Sequence, residues 1–237
     1  MIMLADKYDS VRRQIVEACE NAGRAPEEVQ LLAVSKTRTA DEVRQLHTCG
    51  QVAFGENYLQ EALDKIEALA DLELCWHFIG PIQSNKTRAI AEHFDWVHSV
   101  DRLKIARRLS EQRPADKAAL NICLQVNISG EDSKSGCAPA ELPALARQVA
   151  ALPGLALRGL MAIPEPETDP DRQRATFARV RGQLEALQAE LPQLDTLSMG
   201  MSGDLAAAIA EGATIVRIGT ALFGPRHYPN TSPNSQA

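Results

Sequence analysis

Eight short apolar runs, alternating with segments of helical periodicity, constrain this chain more than any other feature. The runs cover residues 29–34, 52–55, 75–79, 96–100, 120–128, 157–163, 196–199 and 214–218. Strands that alternate with helices demand a parallel sheet. A doubly wound open sheet would call for a glycine-rich turn after its first strand, and here that turn reads SKTRTADE. Eight strands in 237 residues predict an α/β fold, a single (β/α)8 TIM barrel. An additional N-terminal helix precedes it, because Leu4, Tyr8, Val11, Ile15, Cys19 and Ala22 recur at helical spacing and Gly23 follows as a C-cap. Thr39 with Glu42 reads as a capping box, and Asp169 before Pro170 as an N-cap followed by N1. Phe177, Val180, Leu184, Leu187 and Leu191 form one apolar stripe. The barrel domain is expected over 1–227, with 228–237, rich in Pro, Asn and Ser, a disordered tail.

Composition narrows the partners. Aromatic residues make up only 4%, so the core must come from Leu, Val, Ile and Ala. A net charge of −6 argues against nucleic acid or an anionic membrane as the main partner. The five cysteines include no C-x-x-C pair, which disfavours a disulfide framework or a zinc site and suits a reducing compartment. The first residues meet charge too early for a signal peptide, and no apolar run is long enough to span a bilayer. A soluble, cytoplasmic, monomeric protein is expected, with no metal.

In such a barrel, chemistry gathers at the carboxyl ends of the strands. The polar residues there are Lys36, Asn57, His77, Ser99, Asn127, Ser202 and Arg217. Leu32, Val34 and Lys36 share one strand face, so an interior-facing Lys36 places an ammonium at the rim of an apolar lumen. Desolvation there lowers a lysine pKa from about 10.4 and frees the amine for imine formation, whereas a snorkelling lysine would do neither. Ile215, Arg217 and Gly219 also share a face, and a guanidinium inside a barrel needs a carboxylate or an acceptor ligand. A structural ion pair of Arg217 with Glu56 or Asp204 is the alternative. Ser202 with Gly203, and Gly219 with Thr220, precede helix starts after strands seven and eight, where barrels often bind phosphate. Ordinary N-capping is the competing account. The basic stretch 85–88 reads as a solvated face, and Lys134 as part of a long polar loop. The histidines besides His77 show no metal-ligand spacing.

The segments AVSKT, FGENYLQEA, WHFIGPIQSNKT, VNISGEDSKSG, GLMAIP, LSMGMSGDLAAAI and VRIGTALFG together resemble the pyridoxal phosphate homeostasis protein family. The resemblance runs from about residue 31 to 225 and extends to the barrel domain of alanine racemase and of fold-type III decarboxylases. It implies a pyridoxal 5'-phosphate cofactor (PLP) held as a Schiff base on Lys36. It further implies that Ser202, Gly219 and Thr220 hold the phosphate, that Arg217 faces the pyridine nitrogen, and that Asn57, His77 and Met161 lie near the ring. Gly203 joins the phosphate group through its backbone, since relatives often carry a polar residue there.

The expected function is vitamin B6 homeostasis: binding, buffering or delivering the cofactor, with PLP-dependent apo-enzymes as recipients and no classical turnover. An arginine at the ring nitrogen disfavours its protonation and so weakens the electron sink that PLP enzymes use. Racemases offset this with a second acid/base from a further domain, for which this chain is read as having no room. Two alternatives stand beside this reading. One is a PLP-dependent racemase or decarboxylase; the other is a cofactor-free Schiff-base lyase acting through Lys36.

Overall fold

A computed structural model describes residues 3–130 and 135–225. The expected tail at 228–237, Lys134 and His227 lie outside the described residues. Helix α1 (Leu4–Asn21) leads through a short 3-10 turn (Pro26–Glu28) into β1 (Gln30–Val34). There follow α2 (Ala40–Thr48), β2 (Ala53–Glu56), α3 (Leu59–Ala68), β3 (Cys75–Phe78), α4 (Thr87–His93), β4 (Trp96–Val100) and α5 (Leu103–Gln112). The second half comprises β5 (Leu120–Gln125), α6 (Leu142–Ala150), β6 (Leu155–Met161), α7 (Pro170–Gln188), β7 (Thr196–Ser198), α8 (Leu205–Ala210), β8 (Ile215–Ile218) and α9 (Thr220–Phe223). The strands close in sequence order, and every neighbouring pair is parallel, including β8 with β1. The barrel read from the alternation is the fold.

The local signals act as their chemistry requires. Thr39 Oγ1 accepts from the Glu42 amide at 3.2 Å, while Glu42 Oε2 accepts from the Thr39 amide at 2.8 Å, closing the capping box. Asp169 Oδ1 accepts from the amides of Asp171 at 2.9 Å and Arg172 at 3.2 Å. Phe177, Val180, Leu184 and Leu187 of α7 are buried, each contributing about 1.5–3 kcal/mol by leaving water, and Leu191 packs half-buried on the same core. Helix α1 lies against α8 and α9, on the outer ring. The fifth strand is shorter than expected. The Val126 amide still donates to the Met161 carbonyl of β6, but the Asn127 amide then donates to the Cys137 carbonyl, leaving Val126 in an isolated bridge with Cys137.

Alternation divides the core into two compartments. Outward residues such as Leu31, Ala33, Val97, Leu160, Val216 and Ile218 pack under the helices. The lumen holds a small apolar group, Leu32, Ala53, Ile79 and Ile215, joined by Val34 and Trp96. The lumen also holds polar residues: His77, His98, Ser198 and Arg217 are all buried there. Among the described residues no helix is long and apolar enough to cross a membrane.

Candidate functional site

Seven of the nine residues that the resemblance assigns to the cofactor line one pocket of about 290 Å³ at the carboxyl mouth of the barrel. Lys36 enters from the end of β1 and Asn57 from the end of β2. Ser202 and Gly203 come from the turn before α8, Arg217 from β8, and Gly219 and Thr220 from the start of α9. Val34, Ile79, Ile163 and Met201 supply apolar wall. Lys36 is half-buried, as a rim position on an interior face dictates.

Asn57 is placed by a close approach of backbones. A Cβ at Gly80 would lie 2.2 Å from the Asn57 carbonyl oxygen, so the FIGP segment needs glycine for the end of β3 to close on Asn57. Asn57 Oδ1 is buried and has no hydrogen-bond partner among the described residues.

Arg217 has no carboxylate partner among the described residues, and the proposed ion pairs with Glu56 or Asp204 do not form. Its Nη1 donates to Ser198 Oγ at 2.8 Å and its Nη2 to the Ala162 carbonyl at 2.9 Å. Burial pulls its pKa down to about 10, with Asp204 and Cys123 opposing, so it is charged at neutral pH. Ser198 is the first link of a chain down the lumen. Ser198 Oγ lies 2.7 Å from His98 Nδ1, His98 Nε2 lies 2.8 Å from His77 Nδ1, and His77 Nε2 lies 3.3 Å from Cys75 Sγ. Arginine can only donate, so Ser198 Oγ accepts from Arg217. With the Ser198 hydroxyl proton directed at His98 Nδ1, both imidazoles carry their proton on Nε2. Burial drives the His77 pKa to about 3 and holds His98 well below its usual value. Both rings are neutral, and the chain presents a fixed guanidinium to the pocket.

Two helix starts also border the pocket. The first amides of a helix lack intrahelical partners, and Gly219 and Thr220 open α9 while Ser202 and Gly203 precede α8. The two glycines differ in what they allow. A Cβ at Gly203 would meet nothing within 4 Å, whereas one at Gly219 would lie 3.3 Å from the Val34 carbonyl oxygen. Gly203→Ala is therefore expected to change stability by less than about 0.5 kcal/mol. Gly219→Ala is expected to cost about 1–2 kcal/mol by pushing β8 from β1. Urea unfolding midpoints of the two variants would separate them.

His77 and Met161 do not line the pocket. Both are fully buried in the layer beneath it. The inward face of β3 continues two residues past His77 to Ile79, and that of β6 two residues past Met161 to Ile163. Periodicity identifies the face but not the depth at which the lumen closes. Ser99 is structural, donating to the Gly80 carbonyl at 2.5 Å. Asn127 caps its own loop, its Oδ1 accepting from the Gly130 amide at 3.1 Å. In the basic stretch Asn85, Lys86 and Arg88 are exposed, and Arg88 pairs with Glu92 at 3.8 Å. His98 and Ser198 had no sequence signal beyond alternation with Trp96 and Thr196. No three His, Cys, Asp or Glu among the described residues converge to hold a metal.

The family model of the alanine racemase N-terminal domain matches residues 8–227. A pyridoxal phosphate homeostasis protein of Pseudomonas aeruginosa is 65% identical over 228 residues, covering 96% of this chain and 98% of that protein. One of Escherichia coli K12 is 52% identical, covering 95% and 97%. The structure of PipY from Synechococcus elongatus with PLP bound is 41% identical with a TM-score of 0.83, over 94% of this chain and 100% of that one. Alanine racemase of Clostridium difficile, 16% identical, shares the fold at a TM-score of 0.71 over 93% of this chain and 57% of its own.

Proposed function

The chain belongs to the alanine racemase N-terminal domain family and, within it, to the pyridoxal phosphate homeostasis proteins, and we propose that it holds pyridoxal 5'-phosphate as a Schiff base on Lys36 in order to buffer or deliver it. The observation that carries this reading is the convergence of an amine, a fixed guanidinium and an anion-binding end in one pocket. The donors fit the group. Ser202, Thr220 and the backbones of Gly203 and Gly219 suit a phosphate, Arg217 suits an aromatic nitrogen that accepts, and the Asn57 side-chain amide suits a polar ring substituent. When bound, the cofactor supplies an aldehyde for amines and an electron-withdrawing ring.

The side chains favour holding over turnover. Arg217 keeps its proton and is anchored by Ser198 and Ala162, so it offers the ring nitrogen a hydrogen bond and not a proton. That leaves the ring a weak electron sink. His77 and His98, neutral and enclosed, offer no proton to the pocket. A half-buried Lys36 leaves room for another amine to displace it, which is how delivery to apo-enzymes would proceed. The five cysteines are all free, and burial raises the thiol pKa of Cys75 and Cys123 to about 12, which suits a reducing cytoplasm.

The test is the visible spectrum of the purified protein, followed by borohydride reduction and peptide mapping. The expected result is a coloured protein, bleached on reduction, with a pyridoxyl phosphate adduct on Lys36, and Lys36→Ala losing both. A protein left unmodified by added PLP sinks the reading. Rapid Lys36-dependent loss of an amino acid's α-proton would reassign it as an enzyme.

A further inference from the structure

Lys36 stands at the second position of a tight turn. The Arg38 amide donates to the Ser35 carbonyl at 3.0 Å, which makes Ser35 to Arg38 a four-residue turn. Thr37, at its third position, has φ of 63°, and among the described residues it is the one non-glycine with positive φ. Positive φ at the third position alone is the signature of a type II turn, where glycine is the usual residue. A β-branched residue there is strained, and the ordinary type I turn would relieve that strain by flipping the central peptide, the one joining Lys36 to Thr37.

A carboxylate holds the N–H of that peptide. Glu61 Oε1, from α3, accepts from the Thr37 amide at 2.5 Å, the N–H of that same central peptide. In a type I turn this N–H would point away from Glu61. Glu61 is held in turn by Lys65 Nζ at 2.6 Å, and Lys65 also donates to the Ser35 carbonyl at 2.6 Å and to Glu56 Oε1 at 2.7 Å. Ser35 Oγ donates to Glu56 Oε1 at 2.6 Å. Both neighbours of Lys36 are therefore gripped by one cluster from α3 and β2. On the far side, Arg38 Nη2 donates to the Gly224 carbonyl at 2.6 Å, tying the turn to α9, the helix that Thr220 opens.

We propose that Glu61 is a positioning residue that locks the Lys36 turn in its type II form. The two turn types differ in ψ of the second residue by well over a right angle, and backbone ψ governs which rotamers a side chain can adopt. The lock thus decides where the Lys36 amine is presented. The consequence for imine formation rests on the reading that Lys36 carries the cofactor.

Two measurements on the full-length protein test it, one of them independent of the cofactor. Amide hydrogen exchange by NMR on cofactor-free protein should find the Thr37 N–H protected in the wild type. It should lose protection in Glu61→Ala and keep it in Glu61→Gln, which retains an acceptor. Equal protection in Glu61→Ala, or none in the wild type, overturns the lock even if PLP binds at Lys36. If the wild type forms no imine, the functional reading falls while the exchange result still decides the turn.

PLP titration followed by absorbance is the second measurement. Glu61→Ala should weaken imine formation about tenfold, the scale set by the strain of one residue in the left-handed region. Thr37→Gly removes that strain, so Glu61→Ala should cost less than about twofold in its presence. A tenfold loss that persists in the Thr37→Gly background would show that Glu61 acts otherwise, and overturns the proposal. So would wild-type affinity in Glu61→Ala.

Discussion

Lowering the pH from 7 to 5 is expected to remove about 2 kcal/mol of folding free energy through His77. Its pKa is pushed by burial to about 3, against about 6.5 in the unfolded chain. Between those values the unfolded state binds the proton and the folded state does not, so stability falls as the pH falls. The full contribution is present above pH 6.5 and decreases by about 1.4 kcal/mol per unit below it until pH 3. His98, lowered well below its usual value, adds a loss of the same sign. Glu56 and Asp204, whose pKa values burial raises, act in the opposite direction. The histidine share is therefore read as a difference. Urea unfolding at pH 7 and pH 5 should show a smaller acid loss in His77→Gln than in the wild type, by about 2 kcal/mol. Equal losses would mean that His77 is protonated in the folded protein, and that the hydrogen-bond chain starting from Arg217 runs otherwise.

Lys65→Met is expected to cost about 3–5 kcal/mol, the usual result of leaving a buried charge unpaired. Lys65 is the cation on Glu56, and both side chains are almost wholly enclosed, at 6% and 0% exposure. The second oxygen of Glu56 already lacks a partner among the described residues, so nothing there replaces the lost ammonium. Burial raises the Glu56 pKa and Lys65 opposes that rise, so the variant should take up a proton at Glu56 on folding and become less unstable as the pH falls. Pairing Lys65→Met with Glu56→Gln should recover a large part of the loss. Chemical unfolding of the two single variants and the double variant measures this directly. Additive losses would show that the two charges do not depend on each other.

Much of this protein is written in local patterns, and those patterns are legible because they depend on near neighbours. The period-2 runs place Leu32, Val34 and Lys36 on one face, and Ile215, Arg217 and Gly219 on another, which is enough to bring Lys36 and Arg217 to one lumen. Thr39 with Glu42 and Asp169 with Pro170 announce their helices, because a cap reaches only three residues along the chain. The order of strands follows from short right-handed crossovers, which leave a closed barrel few alternatives.

What the tertiary structure decided is depth and partnership. His77 and Ile79 are indistinguishable by periodicity, and only closure of the barrel makes one a buried link and the other pocket wall. Arg217 is anchored by Ser198 and Ala162, and Ser198 meets His98 a hundred residues away. A donor-only guanidinium can donate to any oxygen that the folded backbone brings near it, so its charge alone left a carboxylate partner as an alternative that the fold does not use. Lys65 reads locally as one more helical charge, yet it joins Ser35, Glu56 and Glu61 beneath the Lys36 turn. The alternation of residues along a strand is set by covalent geometry, and the sequence carries it by itself. Which polar groups share a buried space depends on how eight strands tilt and close, and that exists only in the folded chain.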